Sequence, residues 1–101
     1  IYITSFYGGR PAYDKTAEVS LYLAPNAQGQ GLGTDLMQRM INACPQLGVT
    51  TLIGMHFDHN EATKRLNDSF GFQQVGHLPE IAEVNGEQRG LLLSILRISA
   101  Q

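Results

Sequence analysis

Between two helix-and-strand patterns the chain reads Asn26-Ala27-Gln28-Gly29-Gln30-Gly31-Leu32-Gly33-Thr34. The stretch follows an alternating apolar run, Val19-Ser20-Leu21-Tyr22-Leu23, and opens a helical pattern. Glycines at 29, 31 and 33 let the backbone turn tightly and approach a ligand with no Cβ in the way. The opening N–H groups of a helix have no partner inside the helix, and the helix dipole favours negative charge beyond them. Strand, glycine turn and helix start, in that order, read as a phosphate cradle.

Two common phosphate loops do not fit. The dinucleotide loop needs glycines at its first, third and sixth positions, and an acidic residue about 20 residues on. Counted from Gly29, the sixth position is Thr34, and Val49 to Met55 holds no acid. No Gly-Lys-Ser/Thr follows, so the ATP-type loop fails as well. What remains is Gln28-x-x-Gly31-x-Gly33, directly after a strand ending in Ala24-Pro25.

The rest of the chain sets the frame. Its 101 residues suit one small domain spanning 1–101. Hydrophobic residues at 43% and charged residues at 16% are ordinary globular material, not a disordered segment. Net charge is −2 with no basic cluster, which argues against nucleic acid as a partner. One cysteine, Cys44, rules out an internal disulfide framework and fits a reducing cytoplasm. No apolar run approaches the roughly 18–20 residues of a membrane span. No His/Cys/carboxylate cluster suggests a metal site. The chain starts at Ile1 inside a strand-like run, which reads as a fragment.

Ile1 to Tyr7 is β-branched and aromatic and predicts a strand. Gly8 to Asp14 is a loop by its Gly and Pro content. Ala17 to Ala24 predicts the next strand, with Glu18, Ser20 and Tyr22 sharing one face. A helix is expected from about Gln30 to Cys44, with Leu32, Leu36, Met40 and Cys44 as an apolar stripe beside Met37 and Ile41. Thr50 to Phe57 predicts a short strand buried on both faces. Asn60 is the expected N-cap of a second helix, with Ala62, Leu66 and Phe70 buried and Gly71 at C′. Phe72 to Glu83 predicts a strand interrupted near Gly76 and Pro79, Asn85-Gly86 a hairpin turn, and Gly90 to Ile98 a final strand too apolar for an exposed edge.

The glycine stretch resembles the pyrophosphate loop of the GNAT N-acetyltransferase superfamily, Arg/Gln-x-x-Gly-x-Gly/Ala. The ordered run Asn60, Leu66 and Gly71-Phe72 resembles that family's second signature. Arg10-Pro11-Ala12-Tyr13 and Gly76-His77-Leu78-Pro79-Glu80 resemble its phosphinothricin and methionine sulfoximine acetyltransferase branch. The resemblance implies an α/β (α+β) fold, a mixed central sheet with helices, beginning beyond the family's first strand and two opening helices. It also implies acetyl-CoA as co-substrate, a small primary amine as acceptor, and a homodimer.

Acetyl transfer from a thioester to an amine needs a deprotonated amine, a polarised carbonyl and a tolerated thiolate. By the resemblance, the backbone of Leu21, Tyr22 and Leu23 pairs with the cofactor arm like an added strand. The loop Gln28, Gly29, Gln30, Gly31, Leu32, Gly33 and Thr34 holds the pyrophosphate, and Asn60 touches the arm. Glu18 matches the branch's base. Where relatives place a Tyr or His as general acid, this chain has Asn67, which can hydrogen-bond sulfur but cannot release a proton at useful pH. His56, His59 and His77 read as surface or packing histidines. Arg10, Tyr13, Arg89 and Arg97 are candidates for an acceptor carboxylate. The branch often carries Trp and Asp where this chain has Gln88 and Gly90. Two rivals to an active transferase follow: a CoA-binding or dimerising module without turnover, and a generic anion-binding domain.

Overall fold

The computed structural model describes residues 1–21 and 31–98. Strand β1 (Tyr2–Ser5) leads through two 3-10 turns, Phe6–Gly9 and Pro11–Tyr13, into β2 (Thr16–Ser20). Helix α1 (Leu32–Ala43) follows, then β3 (Thr51–Phe57), α2 (Glu61–Ser69), β4 (Gln73–Val84) and β5 (Glu87–Arg97). The strands form one mixed sheet in the order β1-β2-β3-β5-β4. Strands β2 and β3 run parallel, with α1 as the crossover between them, and the other pairings are antiparallel. The expected α+β architecture is the observed one.

One sheet face is covered. Ala17 and Val19 of β2, Leu52 of β3 and Leu96 of β5 meet Met37, Ile41 and Cys44 from the α1 side and Leu66, Phe70 and Phe72 from the α2 side. The register places Ala17 beside Leu52 and Leu52 beside Leu96, so one residue in two along each strand feeds this core. The opposite face carries Ile53, Met55, Phe57, Leu78, Leu91, Leu93 and Ile95, with Met55, Phe57 and Leu78 exposed. The expectation that β3 is buried on both faces therefore holds for one face only.

The apolar stripe of α1 is also shifted. Met37 and Cys44 are its most buried side chains, while Leu32 is exposed. A spacing of four overshoots the helical period, so Leu32 lies about 120° around the helix from Cys44, whereas Met37 lies about 20° from it. In α2, Ala62 is exposed, and the inward side is carried by Thr63, Leu66, Asn67 and Phe70. Strand β1 is shorter than expected because the chain tightens into a 3-10 turn at Phe6, with Tyr7 at φ 51°.

The two helix ends are built as the sequence indicates. Asn60 Oδ1 accepts the Thr63 N–H at 3.1 Å, capping α2. At the other end, the Phe72 N–H donates to Asn67 O and the Gly71 N–H to Asp68 O, with Gly71 at φ 87°. This is a Schellman closure, and it needs a residue tolerant of the left-handed region. Asn85 and Gly86 both have positive φ, as the predicted two-residue hairpin requires. Strand β4 remains continuous through Gly76 and Pro79. The interruptions expected there are register shifts between Gln74 and Gly76 and between Leu78 and Ala82. Strand β5 lies inside the sheet, consistent with its Leu91-Leu92-Leu93 run.

Candidate active site

The parallel ladder of β2 and β3 stops early. Its final pair is Val19 with Gly54, although β2 runs on to Ser20 and β3 to Phe57. Beyond that point Ser20 and Leu21 lose β3 as a partner, and the gap opens a cleft of about 310 Å³. Its walls are Val19, Ser20 and Leu21 on one side and Gly54, Met55, His56 and Phe57 on the other. Helix α2 closes it with Asn60, Thr63, Leu66 and Asn67, and Met37 and Leu91 complete it. A cleft of this size, mostly apolar with a few polar groups, suits the acyl end of a ligand.

The start of α1 lies on the chain that leaves β2. Gly31 takes the N-cap position at φ 74°, in the left-handed region, and a Cβ there would meet nothing within 4 Å. The first intrahelical bond is donated by the Asp35 N–H to Gly31 O, at 3.1 Å. The N–H groups of Leu32, Gly33 and Thr34 therefore have no partner within the helix, as a first turn dictates. Tyr22, Leu23, Gln28, Gly29 and Gln30 lie outside the described residues.

Asn67 is buried at 5% exposure and lines the cleft. Gly54 makes room for it: a Cβ at 54 would sit 3.3 Å from Asn67 Nδ2 and against the Phe72 ring. Glu18 is half-buried on β2 between Thr4 and Ile53, on the sheet face away from the helices. It is not a lining residue of the cleft, but Ser20, which is, lies two positions on and on the same face. That separation is about 7 Å along a strand. Asn60 combines its capping bond with a place in the cleft wall.

Of the candidate acceptor residues, Arg10 and Tyr13 share one aromatic group, while Arg89 and Arg97 lie apart on β5. Arg10 lies over the Tyr7 ring at 4.7 Å, in an aromatic group with Phe6 and Tyr13. Arg97 donates to Thr51 Oγ1 at 3.3 Å, and Arg89 is held by Glu87. Gly90 has a different neighbourhood. A Cβ there would be inside contact distance of Asp58 Oδ2 and 2.7 Å from His77 Nε2, so the absent side chain makes space for the Asp58–His77 pair, 3.2 Å apart. The His77 hydrogen bond holds the Asp58 carboxyl below its ordinary range, helped by a backbone hydrogen bond from Gly90.

His56 was not legible as a site residue, yet it is 8% exposed in the cleft wall. Burial lowers its pKa; Lys64 on α2 lowers it further, and Asp68 acts the other way. The available signal was the strand period: Leu52, Gly54 and His56 alternate on the helix-covered face. Among the described residues no three His, Cys, Asp or Glu side chains converge as metal ligands.

The sequence pattern of the acetyltransferase (GNAT) family matches residues 2–72. YwnH of Bacillus subtilis (strain 168), whose name carries a provisional phosphinothricin acetyltransferase assignment, is 41% identical over 87 residues. That match covers 86% of this chain and 53% of YwnH. The phosphinothricin N-acetyltransferase of Streptomyces coelicolor (strain ATCC BAA-471 / A3(2) / M145) is 34% identical, over 82% of this chain and 48% of its own length. The structure of yncA from Salmonella typhimurium, solved with its cofactor acetyl-CoA, superposes with a TM-score of 0.91 at 25% identity. It covers 98% of this chain and 57% of that one. The chain thus spans about half the length of the curated relatives it matches.

Proposed function

This chain belongs to the acetyltransferase (GNAT) family, and we propose that the protein transfers the acetyl group of acetyl-CoA to a small primary amine, an amino acid or an analogue. The observation that carries this reading is the cleft where β2 and β3 stop pairing, lined by Met37 of a helix whose start is led by Gly31. Ser20 and Leu21 offer strand-edge backbone to the amide-bearing arm of acetyl-CoA. The backbone N–H groups from Gly31 to Thr34, with Gln28, Gly29 and Gln30 before them, suit its pyrophosphate. Leu21, Tyr22 and Leu23 would form the gripping edge and Asn60 a further contact. Acetyl-CoA supplies an acyl group already activated as a thioester.

The chain's own residues then handle protons and charge. Glu18 takes the proton of the acceptor ammonium, directly or through water, so that nitrogen has a lone pair to offer. A backbone N–H at the end of β2 stabilises the carbonyl oxygen as it gains charge. Asn67 hydrogen-bonds the sulfur. Acetyltransferases for phosphinothricin among the relatives favour an amino-acid-like acceptor. A cytoplasmic enzyme acting as a homodimer fits a buried free Cys44 and the exposed Met55, Phe57 and Leu78.

One observation favours a second reading, a CoA-binding module without turnover: the buried Asn67 amide stands where a proton donor is expected. Thiol release from acetyl-CoA with a panel of amino acids and analogues separates the two. The transferase reading predicts release with at least one amine, and a fall of about 10²-fold or more in Glu18→Gln with acetyl-CoA affinity kept. Unchanged turnover in that variant removes Glu18 from the mechanism. Binding without release by the wild type supports the second reading.

A further inference from the structure

We propose that His56 is a catalytic residue of this cleft, taking the proton that the attacking amine sheds and passing it to the departing CoA sulfur. The proposal rests on the acetyl-transfer reading above. Its starting point is a side chain out of keeping with its surroundings. His56 lies in β3 among Leu52, Ile53, Met55 and Phe57, opposite Leu92 of β5, on the face covered by α2. It is 8% exposed, and among the described residues neither Nδ1 nor Nε2 has a hydrogen-bond partner. An unsatisfied buried polar group is destabilising, and native chains retain few of them without a reason. An aliphatic residue would fill the position without that penalty.

The location supplies the reason. His56 and Asn67 are buried polar side chains lining the same cleft, one from β3 and one from α2. Asn67 can hydrogen-bond a sulfur but has no proton to give up. Imidazole has both capacities. Burial and the Lys64 ammonium on α2 favour its neutral form, with the Asp68 carboxylate on that helix opposing. A neutral ring has one accepting and one donating nitrogen. As the side chain stands both nitrogens are covered, so the step includes a turn of the ring about χ2 when substrate enters.

The protons and electrons balance. Glu18 removes the first proton from the ammonium, and the neutral amine attacks the thioester carbonyl. The new C–N bond leaves nitrogen positive, and His56 accepts a proton from it. The C–S bond breaks with its electron pair on sulfur, and the imidazolium returns that proton to the sulfur. The products are the acetamide and CoA thiol; His56 is neutral again, and Glu18 releases the first proton to water.

Stability and turnover must therefore move in opposite directions at this position. His56→Leu removes an unsatisfied buried ring, so it is expected to melt at or above the wild-type temperature and to bind acetyl-CoA within about threefold of wild type. Its turnover is expected to fall by about 10²-fold or more, the scale of a lost acid–base group. His56→Gln keeps a polar side chain that cannot carry a proton and is expected to lose turnover equally. Retained turnover in either variant overturns the proposal, as does a loss matched by an equal loss of acetyl-CoA affinity. If the wild type itself releases no thiol with any amine, the acetyl-transfer reading has failed, which is a different result from a wild type that turns over beside an equally active His56→Leu.

Discussion

Single residues in this chain are explained by what they leave room for. Gly54 admits the Asn67 side chain, and Gly90 admits the Asp58–His77 pair. The pair ties the β3–α2 turn to β4 and has a pH consequence. Asp58 titrates below its ordinary range because His77 hydrogen-bonds its charged form, with a smaller push from the nearby His59. A lowered carboxylate pKa stabilises the fold above the ordinary range, and that stability is lost as pH falls through the lowered value. Thermal melts of wild type and Asp58→Asn should therefore converge as pH drops from about 5 to about 2. Melting temperatures that stay parallel across that window would show that the pair does not stabilise the fold.

Elements were legible where punctuation residues mark them and less so where only apolar spacing does. Asn60, Gly71 and Asn85-Gly86 announce a cap, a helix end and a hairpin, because each meets a backbone requirement that few residues satisfy. Burial was harder to read. Leu32 fits a spacing-of-four stripe but faces outward, and Ala62 does the same on α2. His56 was hidden because a short apolar strand does not reveal which of its faces will be covered. The cleft itself depends on where the β2–β3 ladder ends, a tertiary event with no local residue signal. Helix α2 offers a direct test of the punctuation argument. Gly71 stands at φ 87°, and the closure it makes also fixes Asn67 O and the turn behind the cleft wall. Gly71→Ala should lower the unfolding free energy by about 1–2 kcal/mol, read as a lower urea midpoint at unchanged slope. An unchanged midpoint would mean that the closure relaxes without strain.

At the scale of the molecule, the sheet has one face under helices and one face rich in exposed apolar side chains, among them Met55, Phe57 and Leu78. No described helix is long and apolar enough to cross a membrane. Exposed apolar area of this kind favours association. Light scattering on the purified protein should give the mass of two copies, and a monomeric mass at working concentration would contradict the homodimer. More narrowly, acetyl-CoA is proposed to be held by backbone N–H groups at the glycine-led helix start and at the open end of β2. Amide hydrogen exchange with and without acetyl-CoA reads those groups one by one. Exchange at Ser20, Leu21 and Gly31 to Thr34 is expected to slow when acetyl-CoA is added. Exchange at those amides unchanged by saturating acetyl-CoA, or slowed only elsewhere in the chain, would contradict it.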